Sequence, residues 1–214
     1  MLKLYYAPDT CALAPHIALE EAGASYEAIR VDTAAGEQRS PAYLALNPKG
    51  RVPTLVTPEG SLTENPALLA FIGQAFPDAN LAPLDDPFAF ARVQSFSSYL
   101  CSTVHVAHAH GRRGPRWASD AASFADMKRK VPENMADCIG LIEREMLAGP
   151  WVMGEAFTIC DPYLFTICLW LEADGVDATK YPAVHAHMLR MAARPAVKKV
   201  LELEWPKGHP SLSK

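Results

Sequence analysis

The feature that most restricts the fold is a change of periodicity near residue 80. Before it, strand-like and helix-like stretches alternate; beyond residue 87 only helical patterns follow. "LKLYY" (2–6) is rich in aromatic and branched side chains and reads as a strand. Residues 12–22 carry apolar side chains at helical spacing and stop at Gly23, a residue type that closes helices at no steric cost. "YEAIRV" (26–31) alternates inward and outward, a second strand. "NPKGR" (47–51) is a turn, "VPTLVTPEGSLT" (52–63) two short strands around "PEG", and "ENPALLAFIGQAF" (64–76) a helix. The order β-α-β then β-β-α predicts an α/β layer of about 80 residues, with helices covering a small mixed sheet.

"FPDANLAPLDDP" (76–87) is dense in proline, aspartate and asparagine, which suits a connector between packed units. Domain bounds of 1–78, a linker at 79–87 and an all-helical unit at 88–214 follow. Within the latter, 88–109, 120–148, 162–173 and 182–204 favour helix, broken by "GRRGPRW" and "GPWVMGEAF". "YLFTICLWL" (163–171) is apolar all round and predicts a buried central helix. Pro132 predicts a kink or a division of the 120–148 helix. At "TICDP" two starts compete: a capping box of Thr158 with Asp161, or Asp161 capping a helix that begins at Pro162.

A formal net charge of −4 argues against a broad nucleic-acid surface, which needs a basic field. No stretch approaches the ~18 unbroken apolar residues of a membrane span. "MLKLYYAPDT" does not read as a signal peptide, so the cytoplasm is the expected compartment. The five cysteines are odd in number and lack zinc-like spacing, which predicts reduced thiols. Cys101, Cys138, Cys160 and Cys168 fall in apolar helical patterns and read as small hydrophobes. Cys11 sits instead between a strand and a helix, where a buried hydrophobe, half of a disulfide, a metal ligand and a reactive thiol are all open. A thiol of pKa ~8.5 is only about 3% thiolate at pH 7, and lowering it to ~6.5 takes about 2.7 kcal/mol. A helix terminus supplies ~0.3–1 kcal/mol, so a second donor or cation is required. His105 and His108 share a helical face at i, i+3. No nearby acid completes a metal set, and His110 points elsewhere, so no metal is expected.

The layout, together with "NPKGRVPTL" (47–55), "LTENPAL" (62–68), "FTICDPYLF" (157–165) and "MAARPAV" (191–197), resembles the cytosolic glutathione S-transferases. "YYAPDTCALAPHIALEEAG" (5–23) is similar to the bacterial beta class, which places a cysteine at that spot. The resemblance covers almost the whole chain. It implies a thioredoxin-like N-terminal domain followed by an all-α domain, glutathione as co-substrate, and a homodimer. On residues alone Pro53 is an ordinary trans proline at a strand start. The resemblance implies a cis Val52–Pro53 bond and a Val52 backbone that pairs with the cysteinyl backbone of glutathione. It also implies that Glu64 takes the ligand's ammonium while Asn65 caps the helix, where "TEN" alone allows a plain cap with a surface Glu.

His105 is then the group that faces Cys11 across the domain cleft, and these two are the expected catalytic pair. Four positions depart from the class pattern. Val106 stands where lysine is usual and Asn65 where serine is more frequent. Ala12 follows Cys11 in place of serine. No lysine occurs in 33–38, and Arg39 is the replacement expected to reach the ligand. Tyr6 is expected to approach the thiol from the end of the first strand. The implied activity is conjugation of the glutathione sulfur to a small apolar electrophile. Two alternatives stand beside it: thiol transfer or peroxide reduction through a Cys11 mixed disulfide, and a non-catalytic binding protein of the same fold.

Overall fold

The computed structural model describes residues 1–212. Strands β1 (Leu2–Tyr6), β2 (Tyr26–Arg30), β3 (Thr54–Thr57) and β4 (Gly60–Thr63) form one sheet in the order β2-β1-β3-β4. β1 runs parallel to β2, with Leu2 opposite Tyr26, and antiparallel to β3, with Leu4 opposite Leu55. β3 and β4 close the expected hairpin. A parallel step needs a crossover, and α1 (Leu13–Glu21) supplies it. Leu4 and Leu55 are wholly buried at the centre of the sheet. α1 is buried over most of its length because it packs against α3 (Asn65–Ala75), α7 (Cys160–Cys168) and α9 (Pro195–Glu204).

One helix has no counterpart in the periodicity reading: α2 (Pro41–Leu46), which packs beside a short 3-10 turn at Glu37–Arg39. Its start is nonetheless written locally. The Ser40 hydroxyl accepts from the Tyr43 amide at 3.2 Å, and Pro41 stands at the first helical position. Six residues with one buried side chain are too short for a 3.6-residue pattern to emerge.

The rest is helical. The expected 88–109 helix runs as α4 (Pro87–Tyr99), a π turn at Leu100–Val104, and α5 (His105–Ala109). α6 (Ala121–Leu141) continues into a second π turn at Ile142–Met146. Of the two outcomes expected at Pro132, a kink or a division, the division does not occur: α6 runs unbroken through it. Pro132 and Lys128, whose carbonyl loses its donor, are both exposed, so water is at hand to satisfy the carbonyl. At α7 the Thr158 reading prevails. Thr158 Oγ1 accepts from the Cys160 amide at 3.3 Å, and Asp161 reaches back to the Thr158 amide at 2.6 Å. Pro162 then falls in the first turn, where its missing N–H is no loss. All nine residues of α7 are buried, as its apolar composition predicts.

The expected single helix over 182–204 is two, α8 (Pro182–Ala193) and α9. Arg194 between them is extended, at φ −68° and ψ 138°. The ring of Pro195 excludes the helical region for the residue before it. α9 folds back onto α1, where Arg194 forks onto Glu21 at 2.5 and 2.7 Å. His16 and Glu204 meet there too, at 2.6 Å, with both side chains fully buried.

Candidate active site

A cavity of about 670 Å³ opens between the sheet edge and the helices. It gathers Cys11, Arg39, Val52, Pro53, Glu64, Asn65 and His105, seven of the eight residues singled out from sequence. Tyr6 is the exception. It is buried in the sheet core and packs against the His16 ring at 4.9 Å, because β1 alternation turns it to the α1 side.

The Val52–Pro53 bond is cis. The Cys11 thiol points at the Val52 carbonyl, 3.9 Å away. Cys11 keeps a partly exposed face on the cavity, yet burial pushes its thiol up to about 12, and the opposing pull of Arg113 does not reverse this. At pH 7 such a group is a neutral thiol, with roughly one molecule in 10⁵ ionised. The chemistry available to it is donation of its S–H.

Asn65 does not cap α3. It is the first helical residue, and its Nδ2 donates to the Cys11 carbonyl at 2.7 Å, tying the thiol's turn to the helix. The cap position belongs to Glu64, at φ 75° and ψ 121°. A non-glycine residue held there costs on the order of 1–3 kcal/mol and persists where its surroundings over-determine it, which is a mark of functional positions. The Glu64 carboxylate accepts from Lys49 Nζ at 2.5 Å. The buried Asn65 Oδ1 has no hydrogen-bond partner.

His105 faces the cavity from the start of α5, just beyond the π turn, a feature frequent at functional sites. Burial first, and then His108 and three arginines, push it down to about 4, so it is neutral at pH 7. His108 stacks on Trp170 at 4.3 Å, and its Nδ1 lies 2.7 Å from Asp174. An acid distant in sequence thus stands beside His108. Asp174 arrives from 66 residues away in sequence, beyond the reach of any local pattern. His110 does point elsewhere, stacked on Trp117. Among the described residues no group of three or more His, Cys, Asp or Glu side chains could hold a metal.

Cys138, Cys160 and Cys168 are buried as small hydrophobes. Cys101 is not, since it lines the cavity from the π turn. Cavity residues missed in the sequence also include Lys49, Arg51, Arg113, Arg116, Trp117 and Trp170. "GRRGPRW" reads only as a helix break, although its three arginines beside a tryptophan are a charge signal in their own right.

Comparison with known proteins agrees with the geometry. Residues 1–74 match the model of the glutathione S-transferase N-terminal domain, and residues 118–195 that of the C-terminal domain. Glutathione S-transferase GstA of Escherichia coli O157:H7 is 30% identical over 95% of this chain and 98% of its own. A glutathione transferase homologue from Sulfitobacter, solved with bound glutathione, is 49% identical, with a TM-score of 0.90 over 94% of this chain and 96% of that one. The beta-class glutathione S-transferase of Sphingomonas chungbukensis is 35% identical, with a TM-score of 0.83 over 95% and 98%.

Proposed function

The chain belongs to the glutathione S-transferase family, and from that premise we propose that it joins the glutathione sulfur to an electrophile held between the sheet wall and the helices. The observation that carries this reading is the strained Glu64 at the cavity rim, beside an Asn65 oxygen without a partner. An acidic side chain and a spare acceptor suit an ammonium group. The amide-lined start of α3 suits the neighbouring carboxylate. The γ-glutamyl end of glutathione carries both. Val52, beside the cis Pro53, offers backbone to the cysteinyl residue, and Arg39 with Lys49 suits the glycyl carboxylate.

In this proposal the glutathione S–H loses its proton as sulfur bonds to the electrophilic carbon, and the leaving group departs with the carbon's former electron pair. The proton goes to solvent. Cys11 donates its S–H to the sulfur, and His105, being neutral, accepts or relays a hydrogen bond. Holding thiolate and electrophile together supplies most of the rate through proximity and preorganised donors. The apolar part of the electrophile finds Trp117 and Trp170. The mixed-disulfide alternative needs a thiolate at Cys11, and a thiol pushed up to about 12 supports it poorly.

Five free cysteines suit a reducing cytoplasm, where such an enzyme would clear electrophiles. Phe88, 78% exposed at the start of α4, supports a homodimer through that helix. The test is conjugation of reduced glutathione to 1-chloro-2,4-dinitrobenzene, followed by absorbance, in wild type and Cys11→Ala. Turnover in wild type with a modest loss in the variant is the expected result. Glutathione binding without turnover favours the binding-protein alternative. Glutathionylation of Cys11 by oxidised glutathione, faster than conjugation, favours the redox one.

A further inference from the structure

Five basic side chains line the cavity (Arg39, Lys49, Arg51, Arg113 and Arg116) against two acids, Asp9 and Glu64. Both acids are already engaged. Glu64 holds Lys49, and Asp9 lies 3.7 Å from Arg112, which is outside the cavity lining. Arg39 gives Nη1 to the Lys49 carbonyl at 3.4 Å. Arg51, Arg113 and Arg116 have no carboxylate partner among the described residues. They are close enough to act on one another. Arg116 is pushed down by burial and then by Arg113, Arg51 and Arg39. In a chain of net charge −4, this cluster is not a reflection of bulk composition.

Glutathione does not balance it. Two carboxylates and one ammonium leave the tripeptide at about −1 at neutral pH, and its carboxylates already have claimants at α3 and at Arg39 with Lys49. Arg113 and Arg116 also stand on the other wall. Arg113 precedes and Arg116 ends the short turn Gly114–Arg116 after α5, next to Trp117 and on the side of His105 and Trp170. That is the wall left for the second substrate.

We propose that the electrophile is itself an anion: an aromatic or conjugated carboxylate whose carboxyl group is taken by Arg113 and Arg116 while its planar frame lies against Trp117 and Trp170. This rests on the transferase reading and narrows its substrate class. Guanidinium forks match carboxylate geometry and stay charged in a partly desolvated site. Their field also draws anions into the cleft. Arg51, Arg113 and Arg116 are exposed and screened by solvent, so they stand free to take an incoming anion.

A matched pair of electrophiles tests this: 4-chloro-3,5-dinitrobenzoate and its uncharged carboxamide, each rate divided by its uncatalysed reaction with glutathione. Wild type should favour the acid about tenfold or more in kcat/KM, the size of one good charge-assisted contact. The Arg113→Gln/Arg116→Gln double variant should bring the ratio close to one by raising KM for the acid. Its KM for glutathione and its turnover of the amide should stay within about twofold. Arg116→Lys, which keeps the charge, should retain part of the preference, and circular dichroism checks that each variant folds.

A wild-type ratio near one, or a ratio unchanged in the double variant, overturns the proposal while leaving a transferase in place. Calorimetry with unreactive 3,5-dinitrobenzoate separates the two readings. Binding that needs Arg113 and Arg116 without turnover of either electrophile keeps the anion site and removes the transferase. Absence of both binding and turnover removes both.

Discussion

On the sheet side of the cavity the contacts that fix the site run through backbone: the Val52 carbonyl faces the Cys11 thiol, and Asn65 holds the Cys11 carbonyl. On the helical side the cavity residues are set mainly by other side chains. His108 is oriented by the Asp174 carboxylate and the Trp170 ring, and Arg113 and Arg116 project from a short turn. Backbone groups are present whatever the side chains, so a wall built from them suits a ligand common to a whole family. A wall of side chains can change residue by residue, which suits a second substrate that differs between members. The cations divide between the walls: Arg39 and Lys49 are hydrogen-bonded on the sheet side beside an unpaired Arg51, and Arg113 and Arg116 stand near the aromatic rings of the helical side.

The comparison breaks most severely if the helical wall loses its footing. Asp161 accepts from the Val152 amide, the Thr158 amide and hydroxyl, and lies 3.0 Å from His187 Nε2, all buried. Asp161→Ala leaves these groups unmatched and should cost about 3–5 kcal/mol in urea unfolding. A loss below about 1 kcal/mol would mean that α7 does not depend on this cap. On the sheet wall, Asn65→Ala removes one bond to a carbonyl that also accepts from the Ala14 amide. About 1 kcal/mol is expected, with a weaker hold on glutathione.

Cys11 sharpens the contrast further. As a neutral donor it contributes about 0.5–1.5 kcal/mol, so Cys11→Ala should lower kcat/KM roughly three- to tenfold. Cys11→Ser, which keeps a donor, should lose less. A loss of a thousandfold in both would identify the thiol as a nucleophile.

The smallest expected effect is in pH. His105 is near 4 in the folded chain and near 6.5 when unfolded, so between those values the unfolded state binds more protons. This contribution to stability is intact above about pH 6.5 and is lost as pH falls toward 4. The drop in urea midpoint from pH 7 to pH 5 should therefore shrink in His105→Gln. An undiminished drop would place the acid sensitivity elsewhere.

How far the sequence was legible follows the same division. The strands, their mixed pairing and the buried α7 follow from periodicity, because those elements bury a face in a regular pattern. The sheet wall was read through the family resemblance of two short strings, "NPKGRVP" and "TEN"; on residues alone Pro53 reads as trans and "TEN" allows a plain cap with a surface Glu. Asn65 shows the limit. Its type suits a cap, but the Cys11 carbonyl, 54 residues away, takes its amide. Tyr6 fails for a different reason, since a strand position gives the alternation but not which face meets α1. Asp174 beside His108, and Cys101 turned inward by a π turn, depend on tertiary packing that no local spacing encodes.

Titration calorimetry of reduced glutathione into wild type and Glu64→Ala is the most direct test of the two-walled cleft. One site per chain in wild type, weakened at least tenfold in the variant while dinitrobenzoate affinity is unchanged, is the predicted result. No heat in wild type, or equal affinity in the two proteins, would contradict it.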